Sequence, residues 1–554
     1  MKKVLALVMT VMLLLGVFGI VHAEDDPAFK KFDEVVEVHI GRSVSPTNTT
    51  LAEGDTADNN YYTRYLLENY NIKVVLDWTA ADGADYNQKV ALCIASDTLP
   101  DVMIVNDRSY FTAAVDGEML YDLKPIYDQY ASEQFKAIYE GTNGKAFEMV
   151  TFDDQMLALP TVSVGADGIP VMMVQENWLN DLNLEVPKTI SELHDVLVAI
   201  KEAKPAGERT IPLMGPGKND RVYCDFLHSY GSNYFDPVFA AMDSYPGWFL
   251  ADDDGKVQYM TLAAETRAAL EVLAQWYAEG LIDPEVFTRD SAGEVINANE
   301  CGFFFGPWWA IGYGNGDSFK NSEVADWQAY PLYTEDGRFN SKMKTLGNSY
   351  TIVNRNVSED VAKAVIIMTN VLVAHEGDFQ SVTAEDIEWY PLRTVLAPLD
   401  ECEYTYKALI SVLDGETEPE DWAGPSSYKL LAADTAVTRS VVTGYSKGKQ
   451  LHRADFLQTP ETETNYQRQY SQLIGIRPAA TVPIDNSVYS VSYTTNDTID
   501  RYWANLETLE STVIRSIITG KSDITAFDAF IEQWLAEGGD KVIASIQAEY
   551  DAAK

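Results

Sequence analysis

The sequence predicts an α/β protein built as more than one lobe, and three observations carry that reading. Its 554 residues, 46% of them apolar, exceed what one hydrophobic core normally serves. Short β-type runs alternate with helical periodicity through the first third, the rhythm of a sheet covered by helices. A comparable pattern restarts near residue 156 with no low-complexity linker before it.

Val35-Val36-Glu37-Val38-His39-Ile40 alternates and stops at Gly41, as a first strand should. A polar loop with Asp55, Asp58, Asn59 and Asn60 leads to a helix over 61–70. Strand 72–78, helix 86–96 and strand 101–105 follow. Leu157 to Pro160 and 169–175 read as strands. Thr189-Ile190-Ser191-Glu192 is a capping box, and Leu193, Val196, Leu197 and Ile200 then recur at helical spacing. Residues 250–260 form a hairpin around Asp252-Asp253-Asp254-Gly255. Residues 265–279 form a helix closed by Gly280. Strands are expected at 302–306, 329–333 and 345–354, and a helix at 360–374. The last third is mainly helical. Ile499, Tyr502, Trp503, Leu506, Leu509, Val513 and Ile517 line one long helix, and Thr525 to Asp528 cap another that ends at Gly538-Gly539.

Residues 1–23 look like a secretory leader: Lys2-Lys3, an apolar run from Val4 to Val21, and Val21-His22-Ala23 before an acidic stretch. A retained membrane anchor is the alternative. The formal charge is −43, and loss of the leader, with two lysines and no acids, takes it to −45. A surface this acidic disfavours nucleic acid and anionic lipid. Cys93, Cys224, Cys301 and Cys402 form no C-x-x-C, so zinc and redox motifs are not indicated. One disulfide is conceivable. No cysteine stands at the leader junction to take a lipid.

Catalytic motifs fail on spacing. Gly444-Tyr445-Ser446-Lys447-Gly448 matches G-x-S-x-G, but no acid lies between Ser446 and His452, the one later histidine. His375-Glu376 lacks the second histidine of H-E-x-x-H, since Phe379 stands there. A carboxylate pair for glycoside hydrolysis or lysis stays open as the enzyme alternative, because 84 acids offer many pairs and separation is a spatial property.

Five segments in order carry a resemblance. They are Thr98-Leu99-Pro100-Asp101-Val102; Glu176-Asn177-Trp178-Leu179 through Pro187-Lys188-Thr189 to Glu192-Leu193; Gly280-Leu281-Ile282-Asp283-Pro284-Glu285; Gly306-Pro307-Trp308-Trp309; and Ile518-Thr519-Gly520-Lys521 through Phe527 and Phe530 to Gly538-Gly539. Together they resemble the bacterial extracellular solute-binding protein family 1, the receptors of carbohydrate ABC importers, in its long Gram-positive lipoprotein-like group. The resemblance implies a two-lobe periplasmic-binding-protein-like fold of type II, each lobe a mixed sheet flanked by helices, with a helical C-terminal region. Lobe 1 would hold 24–158 and 345–375, and lobe 2 would hold 159–344 and 376–554. Ligand would be held in the cleft, the hinge would close, and the closed monomer would dock on a permease pair. A receptor of this fold that serves a membrane sensor differs only in partner. No catalytic residue, cofactor or metal is implied, and the calcium loop of some relatives has no acidic counterpart at 204–213.

A sugar site wants flat aromatic surfaces rimmed by polar groups. Trp308 matches the G-P-W tryptophan, with core packing as its alternative. Asp107 and Arg108 follow the third strand, and Arg42 and Ser43 follow the first, where open α/β sheets gather ligands. Asn348 and Tyr350 fall in a proposed crossing segment. Trp389 and Arg393 form a candidate rim, and each of these could instead be a loop or hinge residue. Trp178, Trp276, Trp503 and Trp534 are expected in the core.

Overall fold

Helices and strands in the computed structural model follow the hydrophobic spacing closely. The structure describes residues 26–552 apart from 45–47, 49, 82–83, 107, 219, 229, 313–315, 348, 423–426, 460–462 and 494. The leader read over 1–23 therefore lies outside the described residues, and so do Asp107 and Asn348.

The first sheet has five strands: Ile72–Ala81, Val36–Val44, Val102–Val105, Tyr350–Val353 and Leu159–Pro160, in that spatial order. The first three run parallel, and Tyr350–Val353 is antiparallel to both its neighbours. The first strand does not stop at Gly41. A register shift between Ile40 and Gly41 lets it continue to Val44. Glycine is needed there because a Cβ would lie 2.3 Å from the Trp78 ring. Helix Tyr61–Tyr70 begins at Asn60, whose side chain accepts from the Tyr62 and Thr63 N–H groups.

The second sheet orders Trp327–Tyr330, Val171–Gln175, Cys301–Gly306 and Ile211–Leu213. Helix Ile190–Ala203 buries Leu193, Val196, Leu197 and Ile200 as expected. The expected core tryptophans Trp178, Trp276, Trp503 and Trp534 are buried in one cluster with it. A further core joins the other face of this sheet to helices Glu401–Asp414, Leu431–Val441 and Glu463–Tyr470. The last helices pack on the second core, but Gly538 at φ 120° kinks the chain rather than ending it, and helix Asp540–Ala552 follows. All four cysteines are buried and unbridged. Among the described residues no helix is long and apolar enough to cross a membrane.

Three segments connect the sheets and hydrogen-bond to one another. The Thr161 and Ser163 N–H groups donate to the Ser349 and Leu346 carbonyls at 2.9 and 2.7 Å. On the other side, Val162 and Gly165 donate to Val395 and Leu399 at 3.0 and 2.7 Å, and Ala397 donates back to Val162 at 2.9 Å. Residue 375 is no boundary: helix Glu359–Val382 runs straight through it. Phe379, Trp389, Tyr390, Leu392 and Leu396 remain in the first core. Leu159 and Pro160, expected beyond the first boundary, are a strand of the first sheet.

Candidate functional site

The carboxyl ends of strands Val36–Val44 and Val102–Val105 open into a recess of about 180 Å³. Its wall includes Arg42, Ser43, Tyr86, Asn106, Glu388 and Arg393. The parallel register places the Arg42 and Asn106 segments side by side, the arrangement that gathers ligands at strand ends. Arg42 is held firmly. Its guanidinium donates to the carbonyls of Glu388 at 2.5 Å and of Trp389 and Tyr390, both at 3.2 Å, and lies 5.9 Å from the Trp389 ring centre. Burial pushes this guanidinium down from its ordinary value, with the Glu388 carboxylate opposing. Arg393 donates through Nη2 to Glu376 at 3.2 Å, and its Nε lies 3.7 Å from Glu388. Glu376 also receives Lys429 Nζ at 2.6 Å. Asn106 accepts from Ser349 Oγ at 3.1 Å, which ties the recess to a crossing segment.

A smaller hollow of about 30 Å³, the scale of one water, sits at the crossings. It is lined by Ser163, Lys344, Thr345 and Gly347 and by Leu227, His228 and Tyr493 of the second lobe. Trp308 opens the turn that follows strand Cys301–Gly306 and is half-buried. Its Nε1–H donates to Asp167 Oδ1 at 3.0 Å, and Asp167 Oδ2 lies 3.6 Å from Lys344 Nζ. On the far side, Lys145 of the first lobe stands 4.8 Å from the ring centre of Tyr489 in strand Asn486–Tyr489.

The structure thus brings Arg42, Ser43 and Arg393 together and sets Trp308 at the end of a strand of the other sheet. Three expectations need correction. Trp389 is only 5% exposed and its indole donates to Asn48 and Thr50, so it backs Arg42 from within the core. Tyr350 is 2% exposed and stacks on Phe111 at 4.7 Å. Arg108 donates to the Met149 carbonyl and lies among the Phe111, Phe152 and Tyr350 rings at 5.0 to 5.5 Å, so its charge is spent within the first lobe. Asn106, Lys344, His228 and Asp167 were missed. Sequence offers only their nearness to strand ends and crossings.

A larger hollow of about 340 Å³ runs along helix Asp497–Ile518. Its Arg221 is already shared among protein partners. Arg221 bonds Asp225 at 2.5 Å, Glu507, and His228 Nε2 at 2.9 Å. Asp225, His228 and Glu507 approach one another as metal ligands could, but the Arg221 guanidinium already occupies the space among them. The strand-end recess is the better candidate by its place at the strand ends, although it is the smaller of the two. At 180 Å³ it is below the ~300–1,000 Å³ of a complete small-molecule pocket.

A family profile described as bacterial extracellular solute-binding protein matches residues 48–368, more than half of the chain. The fructooligosaccharide ABC transporter substrate-binding protein FusA of Streptococcus pneumoniae is 27% identical over 242 residues, 42% of this chain and 43% of that protein. The chain thus aligns with less than half the length of that relative. Among solved structures, an HMO-binding ABC-transporter-associated solute-binding protein from Bifidobacterium longum infantis superimposes with a TM-score of 0.59 at 15% identity, over 94% of this chain and 99% of that one. FusA of S. pneumoniae in complex with kestose superimposes with a TM-score of 0.55, again at 15% identity and over 94% and 99% of the two chains. These structural likenesses establish the two-lobe α/β fold.

Proposed function

The chain belongs to the bacterial extracellular solute-binding protein family, and from that premise we propose that it is the receptor of an ABC importer for an oligosaccharide. The observation that carries the reading is the strand-end recess of the first lobe, opening beside a three-segment hinge with Trp308 presented from the second lobe. Residues 26–160 with 350–393 would form one lobe, and 166–343 with 400–552 the other. Arg42 and Arg393 are held in place by protein acceptors, and Ser43 and Asn106 add neutral polar groups at the edge of the recess. That arrangement suits sugar hydroxyls. The −43 charge of the chain disfavours a polyanionic glycan, while Arg42 and Arg393 in the recess act in the opposite sense. The likeness to FusA and to the HMO-binding protein supports an oligosaccharide, with kestose as the first to try.

The mechanism is capture without covalent chemistry. Sugar would enter the open cleft, stack on Trp308 and hydrogen-bond the Ser43–Asn106 edge, and the crossings would flex to close the lobes over it. The closed form would be read by permease subunits at the membrane. The leader over 1–23 would place the protein outside the cytoplasm. A thermal-shift screen of mono- and oligosaccharides tests this: a bound sugar at 100 times its Kd adds about 2.7 kcal/mol of stability, and it is recovered intact. Cleavage of a sugar by the protein would overturn the reading.

A further inference from the structure

We infer that Asp167 is a positioning residue that fixes the indole of Trp308 and ties its orientation to the hinge. The inference rests on Trp308 being the sugar-stacking surface proposed above.

The main chain at Trp308 is already fixed. Its carbonyl lies so close to Gly475 that a Cβ there would stand 2.1 Å from the oxygen. The side chain is another matter, because a half-exposed ring retains two rotatable bonds unless its edge is held. Packing against Ala166, Cys402 and Ile476 supports the ring. The edge is held by one bond, from Nε1–H to Asp167 Oδ1 at 3.0 Å. An indole has a single donor, whereas sugar stacking uses the ring face. The bond therefore sets the angle of the ring and leaves the stacking surface unspent.

Asp167 is in turn placed by the crossings. It lies in the turn Gly165–Gly168, directly after the first crossing segment. Its second oxygen faces Lys344 Nζ at 3.6 Å, at the start of the second crossing. Gly168 presses on the same residue, since a Cβ would lie 3.3 Å from the Lys344 nitrogen. The acid and the lysine are largely shielded, with 23% and 15% of their side chains exposed, so solvent screens this ion pair less than it would an exposed one. One carboxylate thus links the ligand-facing ring to two of the three hinge segments. A change in the relative position of those segments changes the presentation of the ring.

The test uses the whole mature protein labelled with 5-fluorotryptophan, in which the Trp308 resonance is the one lost in W308F. D167A should shift and broaden that resonance. D167N, which keeps an oxygen acceptor, should restore it, and K344M should fall between them. In kestose titrations D167A and W308F should each weaken binding by about 3- to 10-fold, and the double variant should bind no more weakly than W308F. A Trp308 resonance unmoved by D167A, or losses that multiply in the double variant, would overturn the inference. If kestose fails to bind the wild type, the proposed ligand is wrong, and the fluorine resonance alone then decides the role of Asp167.

Discussion

Replacing Glu510 by glutamine should remove much of the pH dependence of stability between pH 5 and 8. Glu510 sits on helix Asp497–Ile518 and is 6% exposed. Tyr223 donates to it at 2.5 Å and Tyr259 at 3.0 Å. Burial raises its carboxyl from 4.5 to about 8, helped by the nearby Asp225 and Glu507 carboxylates, while the tyrosine hydroxyls oppose the rise. The folded protein therefore keeps this proton to about pH 8, whereas the unfolded chain releases it above about 4.5. Stability from this group is full below the unfolded value, falls as pH rises between the two, and levels off above about 8. From pH 5 to 8 the loss is roughly 4 kcal/mol. With an unfolding entropy of about 2.1 cal/mol/K per residue, a chain of 554 residues loses about 3–4 °C in Tm. Calorimetric scans at pH 5, 6, 7 and 8 should show wild type falling by that much more than E510Q. Parallel curves for the two proteins would refute the reasoning.

Three further outcomes are expected. K342M should cost about 3–5 kcal/mol in urea unfolding, because Lys342 Nζ is buried against Asp236 at 2.6 Å and the Cys224 carbonyl at 2.6 Å; adding D236N should recover part of the loss. W308A should weaken oligosaccharide binding roughly 10- to 100-fold in calorimetric titration while leaving the Tm of the empty protein within about 2 °C, since the ring is half-buried; a large fall in Tm would assign it to the core. G347A should cost about 1–3 kcal/mol by thermal unfolding and weaken ligand binding as well, because its Cβ would stand 2.7 Å from the Thr161 carbonyl oxygen, inside the hinge.

The fold was largely legible because its elements announce themselves locally. Leu193, Val196, Leu197 and Ile200 repeat at helical spacing and are buried together, and Gly280, at φ 66°, follows its helix as read. What depended on distant partners was not legible. The crossing at 394–399 is a short stretch defined by bonds to Val162 and Gly165, with no periodicity of its own. Tyr350 and Trp389 could not be told from cleft aromatics by residue type alone, since partners that they meet in the core, Phe111 for one and Asn48 and Thr50 for the other, lie more than two hundred residues away in sequence. Asp167 escaped for the same reason: its indole partner is 141 positions distant. Arg42 and Ser43, expected at a strand end, do line the strand-end recess, because that position depends on one strand and not on distant partners.

The central claim, capture of an intact oligosaccharide between the lobes, is tested most directly by titrating kestose and longer neutral oligosaccharides into the protein in a calorimeter and analysing the sugar afterwards. The account predicts saturable one-to-one binding by at least one of them, with the sugar unchanged. No binding across the series, or a cleaved sugar at the end of the titration, would contradict it.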